Sequence, residues 1–188
     1  MKTLFIRHGE NPDKIVSILK NKGIIIYPAE TCYGIGTDMT NEECIKRLFE
    51  IKKRPSEKKI SAAVSSLKMA KEYFELSEDA EKLVKAFMPG PLTIITKGKS
   101  FRIPADKFII EIIEKFGKPI TATSANVSGQ EPIYNFDELL NTFSGNVDLI
   151  INGGNLEKNK PSTIFNVDAK KIVREGKISE EEIIKIIS

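Results

Sequence analysis

Residues 162–174 read STIFNVDAKKIVR. Two runs in this stretch, Ile164 to Val167 and Ile172 to Arg174, are rich in β-branched and aromatic side chains, the mark of strands. Only four residues separate them, whereas a helical crossover between parallel strands needs about a dozen. The two strands therefore pair through a tight turn, and a purely parallel sheet is ruled out. Downstream, Ser179 and Glu182 have capping-box spacing and open a terminal helix.

Upstream, strands and helices alternate. Asn11 followed by Pro12 reads as an N-cap with proline at the first helical position, and Ile15, Ile18 and Leu19 share one face before Gly23 ends the helix. Ile24 to Tyr27 is a buried strand stopped by Pro28, and a glycine-containing turn through Gly34 and Gly36 is expected after it. Thr40 with Glu43 has capping-box spacing, Ile45, Leu48 and Phe49 form an apolar stripe, and Pro55 ends that helix near Arg54. A small-residue strand at Ile60 to Ser65 precedes helices at Leu67 to Phe74 and Ser77 to Phe87. Pro89-Gly90-Pro91 then breaks the chain before a strand at Leu92 to Thr96. A short connection leads to Arg102, followed by a helix around Phe108 to Phe116 and strands at Ile120 and Val147 to Ile151. The predicted class is α/β: a twisted, open mixed sheet with packed helices, within a single domain spanning 1–188.

The composition suits a soluble globular chain, with 188 residues, 40% hydrophobic and 29% charged. No apolar run approaches the roughly 20 residues that cross a bilayer, and the first residues carry charge too early for a signal peptide. Cys32, Cys44 and the single histidine, His8, lack metal-ligand or disulfide spacing, so no metal site is expected and a cytoplasmic, reducing home is the default. Net charge is +3. Lys46 to Lys59 holds seven basic residues against Glu50 and Glu57, a net +5, which leaves the remainder at −2. Charge focused in this way suits a nucleoside triphosphate or an RNA backbone.

Four polar turns follow predicted strands. In Pro28-Ala29-Glu30-Thr31-Cys32-Tyr33-Gly34, a carboxylate and a hydroxyl stand at the sheet edge, placed to hold an amino acid's ammonium and carboxylate; an ordinary turn with Thr31 bonding backbone reads equally well. Lys52-Lys53-Arg54 pairs a point charge with a planar fork, the combination that grips phosphate, or is a solvated helix end. Thr123-Ser124-Ala125-Asn126-Val127-Ser128-Gly129 supplies hydroxyls, an amide and turn N–H groups for phosphate or carboxylate oxygens, or forms an Asx/ST turn. Ser162 opens a strand and Arg174 closes the next, placing both to face one pocket across the hairpin of the opening stretch. Arg102 before Ile103-Pro104 is a further, isolated candidate. His8 has no histidine or cysteine partner and reads as structural or incidental, and Cys44 as core.

In this order, and together with Gly34-Ile35-Gly36, Pro55, Pro89-Gly90-Pro91-Leu92-Thr93, Pro161-Ser162-Thr163 and Arg174-Glu175-Gly176, these pieces resemble the YrdC-like family, the threonylcarbamoyl-AMP synthases. The resemblance runs over essentially the whole chain. It implies an open α/β fold around a positively charged cavity, and an enzyme that condenses L-threonine, bicarbonate or CO2, and ATP to threonylcarbamoyl-AMP and pyrophosphate for tRNA modification. It places Thr31, Arg102, Ser124 and Ser162 around threonine, with Arg102 on the carboxylate. It gives Lys52, Arg54, Asn126 and Arg174 to ATP, with Lys52 and Arg54 as the catalytic pair and Lys58 as a further phosphate contact. Mg2+ is expected with the phosphates, held by nucleotide and water oxygens rather than a protein cage. Transfer to tRNA calls for other proteins.

The sequence departs from the family pattern at Ala29, where threonine is usual, and at Lys58-Lys59-Ile60, where Asn-Pro-Leu is frequent. The chain ends soon after Arg174, where longer members carry a further domain. Two alternatives stand beside the synthase: a double-stranded RNA or tRNA-binding module without chemistry, and the related adenylating domain of hydrogenase-maturation proteins. The latter sits in longer chains with zinc-finger-like and acylphosphatase-like parts.

Overall fold

A computed structural model describes residues 2–55 and 57–188. In chain order its elements are β1 (Leu4–Arg7), α1 (Pro12–Lys20), β2 (Ile25–Pro28), β3 (Tyr33–Gly36), α2 (Glu42–Ile51), β4 (Ser61–Ala63), α3 (Leu67–Tyr73) and α4 (Glu78–Phe87). There follow β5 (Leu92–Thr96), β6 (Lys99–Arg102), α5 (Lys107–Phe116), β7 (Ile120–Ser124), α6 (Phe136–Phe143), β8 (Leu149–Asn152), β9 (Thr163–Asn166), β10 (Lys171–Arg174) and α7 (Glu180–Ile187). The strands form one mixed sheet in the order β1-β8-β2-β3-β7-β4-β6-β5-β9-β10. As the short spacing requires, β9 and β10 pair antiparallel, whereas β9 lies parallel to β5.

Alternation along β2 and β8 sends neighbouring side chains to opposite faces. Ile25, Tyr27, Leu149 and Ile151 join a large core with the buried faces of α1, α3, α4, α5 and α7. Ile24, Ile26 and Ile150 join a smaller one with Leu48 of α2 and Leu139 and Phe143 of α6. α5 shows how a helix comes to bury a face. Asp106 Oδ1 caps its start by accepting from Phe108 N and Ile109 N at 2.9 and 3.1 Å, and Gly117 ends it at φ 79°. Its stripe of Phe108, Ile109, Ile112, Ile113 and Phe116 is buried, each side chain stabilising by about 1.5–3 kcal/mol. His8 braces that start, with Nε2 2.8 Å from Asp106 Oδ2 and its ring edge-on to Phe108 at 5.0 Å, a structural role.

Several local expectations are corrected. Gly34 and Gly36 lie in strand β3, not in a turn; the turn is Ala29–Cys32, closed by Ala29 N donating to Cys32 O at 3.2 Å. Glycine is needed in β3 because the Tyr27 ring lies across it. A Cβ at Gly34 would meet that ring at 2.8 Å and one at Gly36 at 2.9 Å. Asn11 starts α1 in a left-handed conformation (φ 50°) with no side-chain cap bond. Asn41, not Thr40, caps α2, accepting from Cys44 N at 3.1 Å, while the Thr40 hydroxyl donates to Asp38 at 2.6 Å. Capping at Asn41 puts Glu42 and Glu43 in the first turn, where the helix dipole favours acid. The connection between Thr96 and Arg102 contains strand β6, turned by Lys97 and Gly98 at φ 45° and 74°, the left-handed pair of a two-residue hairpin.

Candidate active site

A cavity of about 340 Å³ is lined by residues of β2, β3, β4, β5, β6, β7, β9 and β10 and of the loops beside them. Thr31, Arg54, Arg102, Ser124, Ser162 and Arg174 all line it. Six of the nine residues singled out in the sequence, drawn from turns up to 143 positions apart, thus share one wall. Ser61, Thr93, Lys59 and Tyr134 line it as well. None of these was singled out for the site. Thr93 sat within a quoted motif but reads as an ordinary strand residue until its hydroxyl is seen 3.2 Å from Ser162 Oγ.

The remaining three residues lie elsewhere. Lys52 caps the C-terminal end of α2 and is 1% exposed, not among the cavity-lining residues. Its ammonium donates to Ser124 O, to Asn126 O at 2.9 Å and to Asn126 Oδ1 at 3.0 Å, and its own carbonyl accepts from Ser128 N at 2.7 Å. Asn126 is drawn into the same knot, its Oδ1 also accepting from Ser124 Oγ at 2.7 Å. The lysine and the polar turn, read separately from the sequence, are therefore one unit: a buried ammonium caged by the turn it holds. Burial pulls that ammonium down to about 8, and the neighbouring Arg54 charge adds to the effect. Lys58 lies on a separate groove with Phe49, Tyr73 and Phe74.

The guanidinium groups are braced individually. Arg54 Nη2 donates to Lys59 O at 2.7 Å. Arg174 reaches back across the β9–β10 hairpin to Ser162, with Nε and Nη2 3.2 and 2.8 Å from its carbonyl and Nη2 2.9 Å from Oγ. Gly176 keeps that corner tight, since a Cβ there would lie 2.4 Å from Pro161 O and Thr163 N. Arg102 pairs with Glu30 and donates to Gly90 O at 3.1 Å. Burial draws Arg102 down to about 10, with Arg174 acting the same way, so it stays charged at neutral pH. Cys32 also faces the cavity, its thiol pushed up by burial and so a poor nucleophile.

Glu30 does not stand open to receive an ammonium, as the sequence suggested: both its oxygens are shut off from solvent. With Arg54, Arg102 and Arg174 on the wall and one carboxylate already paired, the cavity carries excess positive charge suited to anions. Among the described residues no group of three or more His, Cys, Asp or Glu converges as a metal site, and no helix is long and apolar enough to cross a membrane.

Several known proteins are similar to this chain. A Methanocaldococcus jannaschii protein provisionally named threonylcarbamoyl-AMP synthase is 33% identical over 192 residues, covering 93% of this chain and 91% of its own. Sua5 of P. abyssi superposes with a TM-score of 0.86 at 29% identity, over 98% of this chain and 64% of that one. A structure of the same protein complexed with L-threonine gives 0.85, over 61% of its chain. The present chain thus spans less than two thirds of Sua5. E. coli YciO gives 0.85 at 25% identity, over 97% of this chain and 100% of that one. The profile of the family described as Telomere recombination, the Sua5/YciO/YrdC group, matches residues 17–176, and the chain belongs to that family.

Proposed function

We propose that the protein is an L-threonylcarbamoyladenylate synthase, condensing L-threonine, bicarbonate or CO2, and ATP to threonylcarbamoyl-AMP and pyrophosphate. The observation that carries this reading is the shared cavity. It sets hydroxyls and a guanidinium suited to an amino acid (Thr31, Ser124, Ser162, Arg102) against guanidinium groups suited to phosphates (Arg54, Arg174). The M. jannaschii relative's name and the L-threonine complex of Sua5 support the same substrate.

In this reading Arg102 takes the threonine carboxylate and the hydroxyls orient the amino-acid end. The amine nitrogen bonds to the carbon of CO2 and loses a proton, giving a carbamate. A carbamate oxygen then attacks the α-phosphorus of ATP, and the bond to the bridging oxygen breaks to release pyrophosphate. Arg54 and Arg174 offset charge on the phosphates, while Lys52 and Asn126 act behind the wall by fixing the Ser124 turn. Mg2+ bound to the nucleotide would supply further charge neutralisation. Such transfers depend on positioning and electrostatics more than on acid–base groups, which accords with a wall of hydroxyls and cations. The product would serve tRNA modification through separate transfer proteins in the cytoplasm.

The test is pyrophosphate release from ATP with Mg2+ and bicarbonate, with and without L-threonine. Release that needs both threonine and bicarbonate is the expected result. No release, together with tRNA binding that weakens steeply with salt, would overturn the synthase in favour of an RNA-binding module.

A further inference from the structure

Glu30, in the Ala29–Cys32 turn, is not used by the chemistry above. Its carboxylate pairs with Arg102, and the two side chains are 19% and 12% exposed. Among the described residues neither Glu30 oxygen has a hydrogen-bond partner beyond that pair, and both oxygens are closed to solvent. Its backbone is also pinned, Glu30 O accepting from Asn159 Nδ2 at 3.3 Å. Arg102 lines the cavity and Glu30 does not, so the carboxylate stands behind the guanidinium. From there it cannot take a proton from a substrate amine, but it can act on Arg102. The neighbouring Arg174 offers Arg102 only repulsion, and a buried guanidinium left without a counter-charge is strongly disfavoured. Arg102 Nη2 has one other acceptor, Gly90 O, and its Nε has none among the described residues. Without Glu30, a single backbone bond would aim the fork.

We infer that Glu30 is the positioning residue of the amino-acid site, holding Arg102 charged and aimed into the cavity without touching the substrate. This rests on the reading that Arg102 receives the threonine carboxylate. It assigns the acidic position of the Glu30-Thr31 turn a role distinct from that of its hydroxyl neighbour. Burial draws Arg102 below its ordinary value, to about 10. Losing the paired anion would lower it further.

The test uses wild type, Glu30→Gln, Glu30→Asp, Arg102→Ala and the Glu30→Gln/Arg102→Ala double variant, each checked for folding by circular dichroism. Threonine affinity is measured by calorimetry and kinetic constants by pyrophosphate release. Glu30→Gln, which keeps size and removes charge, should lower kcat/KM for threonine by about 10- to 100-fold, the loss expected when a binding group is misplaced by about 1 Å. The loss should fall mainly on KM, with the KM for ATP moving by less than about twofold. The decline of threonine affinity at alkaline pH should begin at lower pH than in wild type, and Glu30→Asp should restore part of that profile. In the Arg102→Ala background Glu30→Gln should change nothing further. An unchanged threonine KM in folded Glu30→Gln, or additive losses in the double variant, would overturn the inference. If Glu30→Gln does not fold, Glu30→Asp carries the same comparison, with an intermediate threonine KM expected and an unchanged one overturning. Wild-type protein that binds no threonine by calorimetry would instead overturn the synthase reading on which the inference rests.

Discussion

Two corners of the cavity hold a buried cation in contrasting ways. Lys52 is caged by three carbonyl-type oxygens, from Ser124 and Asn126, and among the described residues no carboxylate pairs with it. Arg102 is paired with the Glu30 carboxylate. A cage of dipoles satisfies the ammonium's three donors and locks main chain in place while leaving the charge uncancelled. A carboxylate cancels the charge and sets the direction of a planar fork. In the proposed reading, the first corner would set an uncancelled charge behind the wall that meets phosphate, and the second would keep one guanidinium aimed at a carboxylate.

The contrast is broken most severely at Lys52. Lys52→Met should leave the carbonyls of the Ser124–Asn126 turn without their donor, and pyrophosphate release should drop by about 100-fold as that turn shifts. A variant that folds and keeps a near-wild-type rate would show that the cage does not shape the site. Arg54→Ala comes next: the guanidinium is half-buried and braced by Lys59 O, so the fold should survive while the KM for ATP rises about tenfold. Full activity at unchanged ATP would remove Arg54 from the phosphate site. Ser162→Ala should act more mildly, raising the threonine KM by about two- to tenfold. Because Arg174 donates to Ser162 Oγ, the KM for ATP should move as well. A threonine effect alone would uncouple the two sides of the hairpin.

The gentlest perturbation is pH. The Lys52 ammonium titrates near 8 in the folded protein and 10.5 ordinarily. The kcat/KM should be about halved at the folded-state value and fall further as pH rises. Stability should move the other way. Between about 8 and 10.5 the unfolded lysine holds a proton that the folded one has lost, so this group's contribution to stability rises with pH across that window and is flat below it. Denaturant unfolding at pH 7.5 and 9.5 would check the sign (the first about 0.5 unit below the window, the second about 1 unit inside its upper end), and Lys52→Met should abolish both trends.

Much of the fold was legible because it is written in local patterns. The Ser179–Glu182 capping box is present, α4 buries Ala80, Leu83 and Val84 as spaced, and the 162–174 hairpin pairs as its short connection demands. Gly34 and Gly36 carry turn character locally, yet a ring from the neighbouring strand makes them strand residues. α6 went unread because its eight residues give an otherwise clear stripe little length, with Leu139 and Phe143 buried and Phe136 and Leu140 packed beside them. In the site, ordered motifs pointed to loops that converge in space, and six of the nine chosen side chains line one cavity. Lys52 and Asn126, expected at ATP, bond each other in this structure, a pairing invisible in sequence because a charge and an amide look alike whichever group they face.

The sequence by itself determined the alternation of strands and helices, the mixed sheet and the family, because caps, turn spacing and motif order depend on near neighbours along the chain. Only the tertiary structure decided which polar groups face the cavity. Lys52 meets Ser124 across 72 positions and Glu30 meets Arg102 from another strand end. A buried charge takes whichever partner the folded sheet brings within hydrogen-bond reach, and that distance is not recorded in the order of residues.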